Sequence, residues 1–175
     1  MDDLIISAQN VYLRPLSHKD SEKLFSYRSN PEVSRYQSWK PVKLSETTNF
    51  IKKASFKKKL INNQWNQFAV CLHKTDEMVG DIGLRLMDHE AEIGFTIDPK
   101  YQRKGLAMES VTSLIKYLFQ NHIVSRIHAY TDPDNIASIN LLKKIGFIRG
   151  PSKISEYKEN NDLCFILNLN KNLSE

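Results

Sequence analysis

The stretch "AEIGFTIDPKYQRKGLAMES", residues 91–110, changes its period partway along. Up to Ile97 apolar and polar positions alternate, as in a half-buried strand, and beyond the turn Ala107, Met108, Val111, Leu114, Ile115, Leu118 and Phe119 recur on one helical face. Between the two periods lie Pro99, Arg103, Lys104 and Gly105. A helix that starts within a residue or two of Gly105 points its unpaired N–H groups and the positive end of its dipole at this loop. Gly105 admits a ligand close to the backbone, Ala107 keeps the first turn thin, and Arg103 and Lys104 add charge, so the loop suits an anion such as a pyrophosphate. A tight strand-to-helix turn with solvated bases is the alternative. The loop is neither GxGxxG nor GxxxxGK[ST], which argues against a dinucleotide or ATP site of those kinds.

Outward from this stretch, "SRIHAYTD" (125–132) restores a strand, so that strand, helix and strand form a parallel unit in one mixed sheet. Upstream, "WNQFAVCL" (65–72), "MVGDIGLRL" (78–86) and "EAEIGFTI" (90–97) read as a meander, preceded by a strand in "NVYLRPLS" (10–17). Ser17 and Asp20 have capping-box spacing for a helix through Leu24 and Phe25 that ends by Pro31. Ser45 is the expected N-cap of a second helix carrying Phe50, Ile51 and Ala54, whose other side is lysine-rich (Lys52, Lys53 and 57–59): a solvated face, or a patch for an anionic partner. Downstream, "NIASINLLKKIGF" (135–147) is a helix stopped by Gly146 in a left-handed cap, and "NDLCFILNL" (161–169) closes as a strand.

At 175 residues, 41% of them hydrophobic, with no linker-like segment, the chain reads as one α/β domain over 1–175. No apolar run approaches the ~20 residues of a membrane span, and Asp2 and Asp3 stand where a signal peptide carries bases, so a cytoplasmic protein without membrane association is expected. Cys71 and Cys164 lie in apolar strands without CxxC or His/Cys spacing, which predicts buried thiols and neither disulfide nor metal site. The net charge of +5 suits an anionic cofactor or a ribosomal surface, a weak signal taken alone, and direct nucleic-acid binding is not expected.

"QRKGLA" (102–107) matches the Q/R-x-x-G-x-G/A loop of the GCN5-related N-acetyltransferases, and "DNIASINLLKKIGF" resembles their Asn-bearing exit from the fifth strand and following helix. "VYLRPLSHKD" with "NPEVSRYQSW" further resembles the branch containing the ribosomal-protein N-terminal acetyltransferases. The resemblance implies a mostly antiparallel mixed sheet of about seven strands, splayed between the fourth and fifth and flanked by about four helices. It implies that the main chain of Phe95, Thr96 and Ile97 pairs with the pantetheine arm of acetyl-CoA, and that Gln102, Arg103, Lys104, Gly105, Leu106 and Ala107 take the pyrophosphate. Asn135 would meet a pantetheine amide. The implied reaction moves acetyl to a primary amine, a peptide N-terminus or a small amine such as a polyamine or antibiotic, in a monomer or homodimer without a metal; the alternative from another class is a module that binds CoA without catalysis.

Such a transfer needs the ammonium deprotonated, the carbonyl polarised and the thiolate stabilised. Many relatives supply a tyrosine for the thiolate where this chain has Leu142; Ser138 is the nearest hydroxyl and the one the ribosomal branch implies. Glu156 and Glu92 are the candidate bases, Tyr36 and Trp39 the candidate acceptor wall, and His89, His122 and His128 have no dyad or metal spacing.

Overall fold

The fold is described from a computed structural model over residues 3–54, 58–151 and 162–169. Its strands are β1 (Ile6–Ser7), β2 (Val11–Pro15), β3 (Trp65–Leu72), β4 (Met78–Met87), β5 (Glu90–Ile97), β6 (Arg126–Thr131), β7 (Ile148–Arg149) and β8 (Leu163–Asn168). Its helices are α1 (Ser21–Arg28), α2 (Pro31–Ser34), α3 (Leu44–Ala54), α4 (Leu106–Gln120) and α5 (Ile136–Ile145). All strands join one sheet in the order β1-β2-β3-β4-β5-β6-β8-β7. Among the described strands only β5 and β6 pair in parallel, because α4 carries the chain across between them.

Period-two alternation sorts side chains between two cores. Phe68, Val70, Ile82, Leu84, Ala91, Ile93, Ile127 and Ala129 face α4, which buries Val111, Leu114, Ile115 and Leu118 against them. Each fully buried side chain of this size contributes roughly 1.5–3 kcal/mol, so this is the larger of the two cores. On the other face Ala69 and Cys71 pack with Leu24 and Tyr27 of α1 and Ile51 of α3. These two helices pack on β3 and β4. Beyond that end, the same face carries Gly83, Arg85, Met87, Glu90, Glu92, His128 and Tyr130, which line a cavity.

The sheet is mixed and mostly antiparallel, as expected, with a two-residue strand added at each end of the sheet and a one-turn α2. The expected fourth and fifth strands are therefore β5 and β6. Pro31 opens α2, with Asn30 as its cap, rather than ending α1, which stops at Arg28. Asp20 accepts from the Ser17 N–H at 2.8 Å, as capping-box spacing requires, but a 3-10 turn (His18–Asp20) precedes α1. Ser45 is not an N-cap. The helix begins at Leu44, and the Glu46 carboxylate reaches back to the N–H of Val42 at 2.7 Å. Among the described residues no helix is long and apolar enough to cross a membrane.

Candidate functional site

Pairing of β5 with β6 starts at Glu90↔Arg126 and stops at Ile93↔Ala129, although β5 runs on to Ile97 and β6 to Thr131. The two strands part there. On its other side β5 stays in register with β4 through Gly80↔Ile97, and the Asp98 N–H bonds to Val79 O at 2.9 Å. Antiparallel alternation then turns the main-chain groups of Thr96 to Asp81 on β4, and those of Phe95 and Ile97 toward the gap. Of the three residues expected to pair with a ligand, Thr96 thus spends its main chain within the sheet. The Ile97 carbonyl accepts from Gln102 Nε2 at 3.0 Å, which leaves the Phe95 peptide groups and the Ile97 N–H on the gap side.

At the end of the gap lies the loop into α4. Asp98 caps a 3-10 turn by accepting from the Lys100 N–H at 3.1 Å and pairs with Lys23 Nζ at 2.8 Å. Burial alone would raise the Asp98 carboxyl, but Lys23 and the Lys100 N–H outweigh it and hold the group below its ordinary range. Arg103 (φ 60°) and Gly105 (φ 78°) are both left-handed, a backbone arrangement that turns successive N–H groups into a shared concavity. The first intrahelical bond runs from the Glu109 N–H to Gly105 O, so the N–H groups of 105–108 have no acceptor within the helix. A Cβ at Gly105 would meet nothing within 4 Å and would project into the open space beside the loop. Lys104 Nζ lies 5.0 Å from the centre of the Tyr101 ring.

The gap opens into a cavity of about 900 Å³. Its floor is bare where Gly83 lies opposite Gly94. One wall is aromatic: Trp39 stacks on Phe50 at 4.2 Å, Arg28 lies 5.8 Å from the Trp39 ring, and the Tyr36 hydroxyl donates to Asp134 O at 3.4 Å. Tyr36 and Trp39 thus both line the cavity, each held by partners. Behind them Arg28 and Tyr27 converge on the buried Asp81 carboxylate, which also accepts from Gln67, while Arg28 Nη1 donates to Gln37 at 3.0 Å. Burial works against the Arg28 charge, but Asp81 outweighs it and raises the guanidinium's pKa.

The opposite wall is polar and charged. Glu92 lines the cavity, with Arg85 opposite it on β4 and His128 beside it on β6. Asn135 accepts from the Ser138 N–H at 3.2 Å, the ordinary N-cap bond of α5, and both residues line the cavity with fully buried Leu142. Burial pushes the Tyr130 hydroxyl up to about 12, which keeps it a donor. The cavity thus gathers Glu92, Ser138, Asn135, Phe95, Tyr36 and Trp39; Glu156 lies outside the described residues. Sequence reasoning missed Tyr130 and also the His128–Glu90 pair, in which His128 Nε2 is 2.7 Å from Glu90 Oε2. The parallel register of β5 and β6 creates that pair, and spacing along one strand carries no sign of it.

A sheet parted between two parallel strands, with a glycine-led helix start at one end and a polar cavity at the other, is the arrangement that the sequence resemblance implied for an acyl-transfer protein. The chain belongs to the acetyltransferase (GNAT) domain family, which matches residues 10–148. It is 32% identical over 143 residues to the uncharacterized N-acetyltransferase p20 of Bacillus licheniformis, covering 79% of each chain. It is 27% identical over 143 residues to the spermidine N(1)-acetyltransferase of Escherichia coli, covering 81% of this chain and 74% of that one. A GNAT-family acetyltransferase from Bacillus anthracis superposes with a TM-score of 0.80 at 28% identity, over 93% of this chain and 96% of that one. The ribosomal L7/L12 α-N-protein acetyltransferase RimL, in complex with coenzyme A, shares the fold with a TM-score of 0.78 at 15% identity, over 94% and 98% of the two chains. The protein is an acetyltransferase of the GNAT type.

Proposed function

We propose that the protein transfers acetyl from acetyl-CoA to a primary amine by direct attack in a ternary complex. The observation that carries this reading is the order of three features along one stretch of chain: the 102–107 loop, the end of β5 that β6 leaves unpaired, and the cavity that Phe95 lines. Along it the N–H groups from Arg103 to Ala107 bind the pyrophosphate, with the bases of Arg103 and Lys104 beside them. Phe95 and Ile97 receive the pantetheine arm as a strand receives its neighbour, and Asn135, its Oδ1 engaged in the cap, offers its Nδ2 to an amide. Thr96 supports that edge from within the β4 pairing. Gln102 holds the Ile97 carbonyl and so fixes the end of the edge, while Leu106 anchors the helix start in the core.

The acetyl group then sits where β5 and β6 part, between the acidic wall and α5. Ser138 at the start of α5 stabilises the departing thiolate, in the place of the tyrosine that Leu142 replaces. The ammonium enters against Tyr36 and Trp39 and loses its proton to the wall that carries Glu90, Glu92 and His128. Glu156 stays a sequence-based candidate for the same role.

A peptide N-terminus is the acceptor that the ribosomal-branch motifs suggest, and RimL shares the fold. A small polycationic amine is the second reading. It is favoured by Glu90, Glu92, Asp132 and Asp162 on the cavity wall, set against Arg28, already engaged with Asp81, and Arg85. Thiol release from acetyl-CoA, measured against spermidine, an aminoglycoside and peptides with free N-termini, tests the reading. Amine-dependent release is expected, and release that no amine stimulates sinks it.

A further inference from the structure

Charge is spread unevenly along the chain. Residues 40–59 hold seven lysines against a single acid, Glu46, and so carry +6, whereas the rest of a chain whose net charge is +5 comes to −1. Six of these lysines, Lys40, Lys43, Lys52, Lys53, Lys58 and Lys59, are exposed. Among the described residues none of the six joins an ion pair, while Arg14, Lys23, Arg28 and Arg126 all do. Glu46 turns its carboxylate to the N–H groups of Val42 at 2.7 Å and Lys43 at 3.4 Å rather than to an ammonium.

The same stretch frames the cavity. Trp39 and Phe50, stacked at 4.2 Å, line it, and so does Trp65 at the start of β3. Lys40 follows Trp39 directly, and Lys58 and Lys59 precede the segment that leads into Trp65. Lys53 lies three positions beyond Phe50 and so neighbours it on the surface of α3. Exposed apolar side chains sit among these lysines: Val42 is 77% and Leu44 40% exposed. The cavity is thus walled by Glu90, Glu92, Asp132 and Asp162 and bordered on this side by cations.

We propose that α3, with the lysines before and after it, is the docking surface for an acidic protein whose N-terminal amine enters the cavity. Acidic residues further along that partner's chain meet the lysines. The inference rests on the acetyl-transfer reading and gives the acceptor its chemical class. Charge complementarity commits the surface to an anionic partner. Its other side chains commit it to a protein. Val42 and Leu44 offer apolar contact, and residues 40–59 contain no arginine for bidentate phosphate contacts. Trp39 and Phe50 stack on each other, so neither presents a free face for a nucleic-acid base. A protein also brings the primary amine that acetyl transfer consumes. A free polycation is drawn to the cavity acids but repelled by the lysines beside them.

The test uses pairs of peptides with free N-termini beginning in Ala, Ser or Met. Within a pair the first residues are the same, and the rest is rich either in Asp and Glu or in Asn and Gln. In thiol-release kinetics the unaltered protein should favour the acidic peptide in kcat/KM, through KM. Raising the salt should shrink that preference, because exposed charges are screened over about 10 Å at 0.1 M. K40Q/K43Q/K52Q/K53Q should lower kcat/KM for the acidic peptide by about ten-fold, with kcat, the neutral peptide and calorimetric CoA affinity unchanged. Fluorescence anisotropy should show binding of the labelled acidic peptide that this variant loses.

Three results overturn the proposal while the acetyl-transfer reading stands: the two peptides of each pair are turned over alike, the preference survives in the lysine variant, or spermidine releases thiol and no peptide does. Lysine-dependent binding of an oligonucleotide or of phosphatidylserine vesicles, without binding of the acidic peptide, overturns it as well. If neither the peptides nor spermidine nor an aminoglycoside stimulates thiol release, the acetyl-transfer reading fails and takes this proposal with it.

Discussion

Gly105 holds φ at 78° where α4 begins, a region in which a β-branched residue is strained by roughly 1–2 kcal/mol. Its missing Cβ leaves open space on the side from which the proposed pyrophosphate would approach. Gly105→Val should therefore weaken CoA binding by about ten-fold or more, chiefly through obstruction, while the strain lowers the melting temperature by roughly 2–8 °C in a variant that still folds. Calorimetric titration with CoA decides it, and unchanged affinity in the folded variant removes the loop from the site. Leu142 behaves differently. Restoring the tyrosine of many relatives there looks like a repair, but Leu142 is 0% exposed, so a larger ring must displace packed neighbours before its hydroxyl reaches the cavity. Leu142→Tyr should cost about 1–3 kcal/mol of stability. Thermal melting reads it, and a variant as stable as the parent would show that the cavity yields. Residue by residue, the sequence disclosed what lies within one continuous motif: Gly105, Asn135 and the Gly146 cap, which indeed holds φ at 112°. It hid His128, whose partner Glu90 is 38 positions away and reaches it only through the parallel register.

At the scale of elements, the boundaries of β3 and β5 could be read directly because eight residues give period two enough repeats to be unmistakable. β1, β7 and α2 span only two to four residues and carry no period at all; sheet pairing and the Asn30 cap create them. The Ser17–Asp20 box was legible, but not its second function. Asp20 also receives both Arg14 nitrogens, at 2.8 and 2.7 Å, and so ties β2 to the start of α1. Burial would raise its carboxyl, yet the bonds from Arg14 and Ser17 win and lower it below its ordinary value. A carboxyl lowered in the folded state contributes stability above its unfolded pKa of about 3.9, and that contribution is lost as pH falls through the folded value. Asp20→Asn should accordingly destabilise the protein by about 1–3 kcal/mol near neutral pH, with the difference from the parent shrinking below about pH 4. Urea melts at a series of pH values test this; a difference that stays constant into acid would deny Asp20 its charged role.

For the molecule as a whole, the net charge of +5 conceals a division of sign. Lys100, Arg103 and Lys104 stand at the loop that leads into α4, while Glu90, Glu92, Asp132 and Asp162 line the cavity. An anionic donor and a cationic acceptor would each meet the opposite charge, at opposite ends of one path through the parted strands. Neither cysteine is expected to act as a nucleophile: both are free and buried, and burial pushes the Cys71 thiol up, which keeps it protonated. The central claim is therefore that acetyl passes from thioester to amine in one step, with both partners bound. Labelled acetyl-CoA, incubated first without and then with an accepted amine, tests this most directly by following label on protein and on amine together. The account predicts an unlabelled protein throughout and one acetylated amine for each thiol released; stoichiometric label on the protein before the amine is added would contradict it.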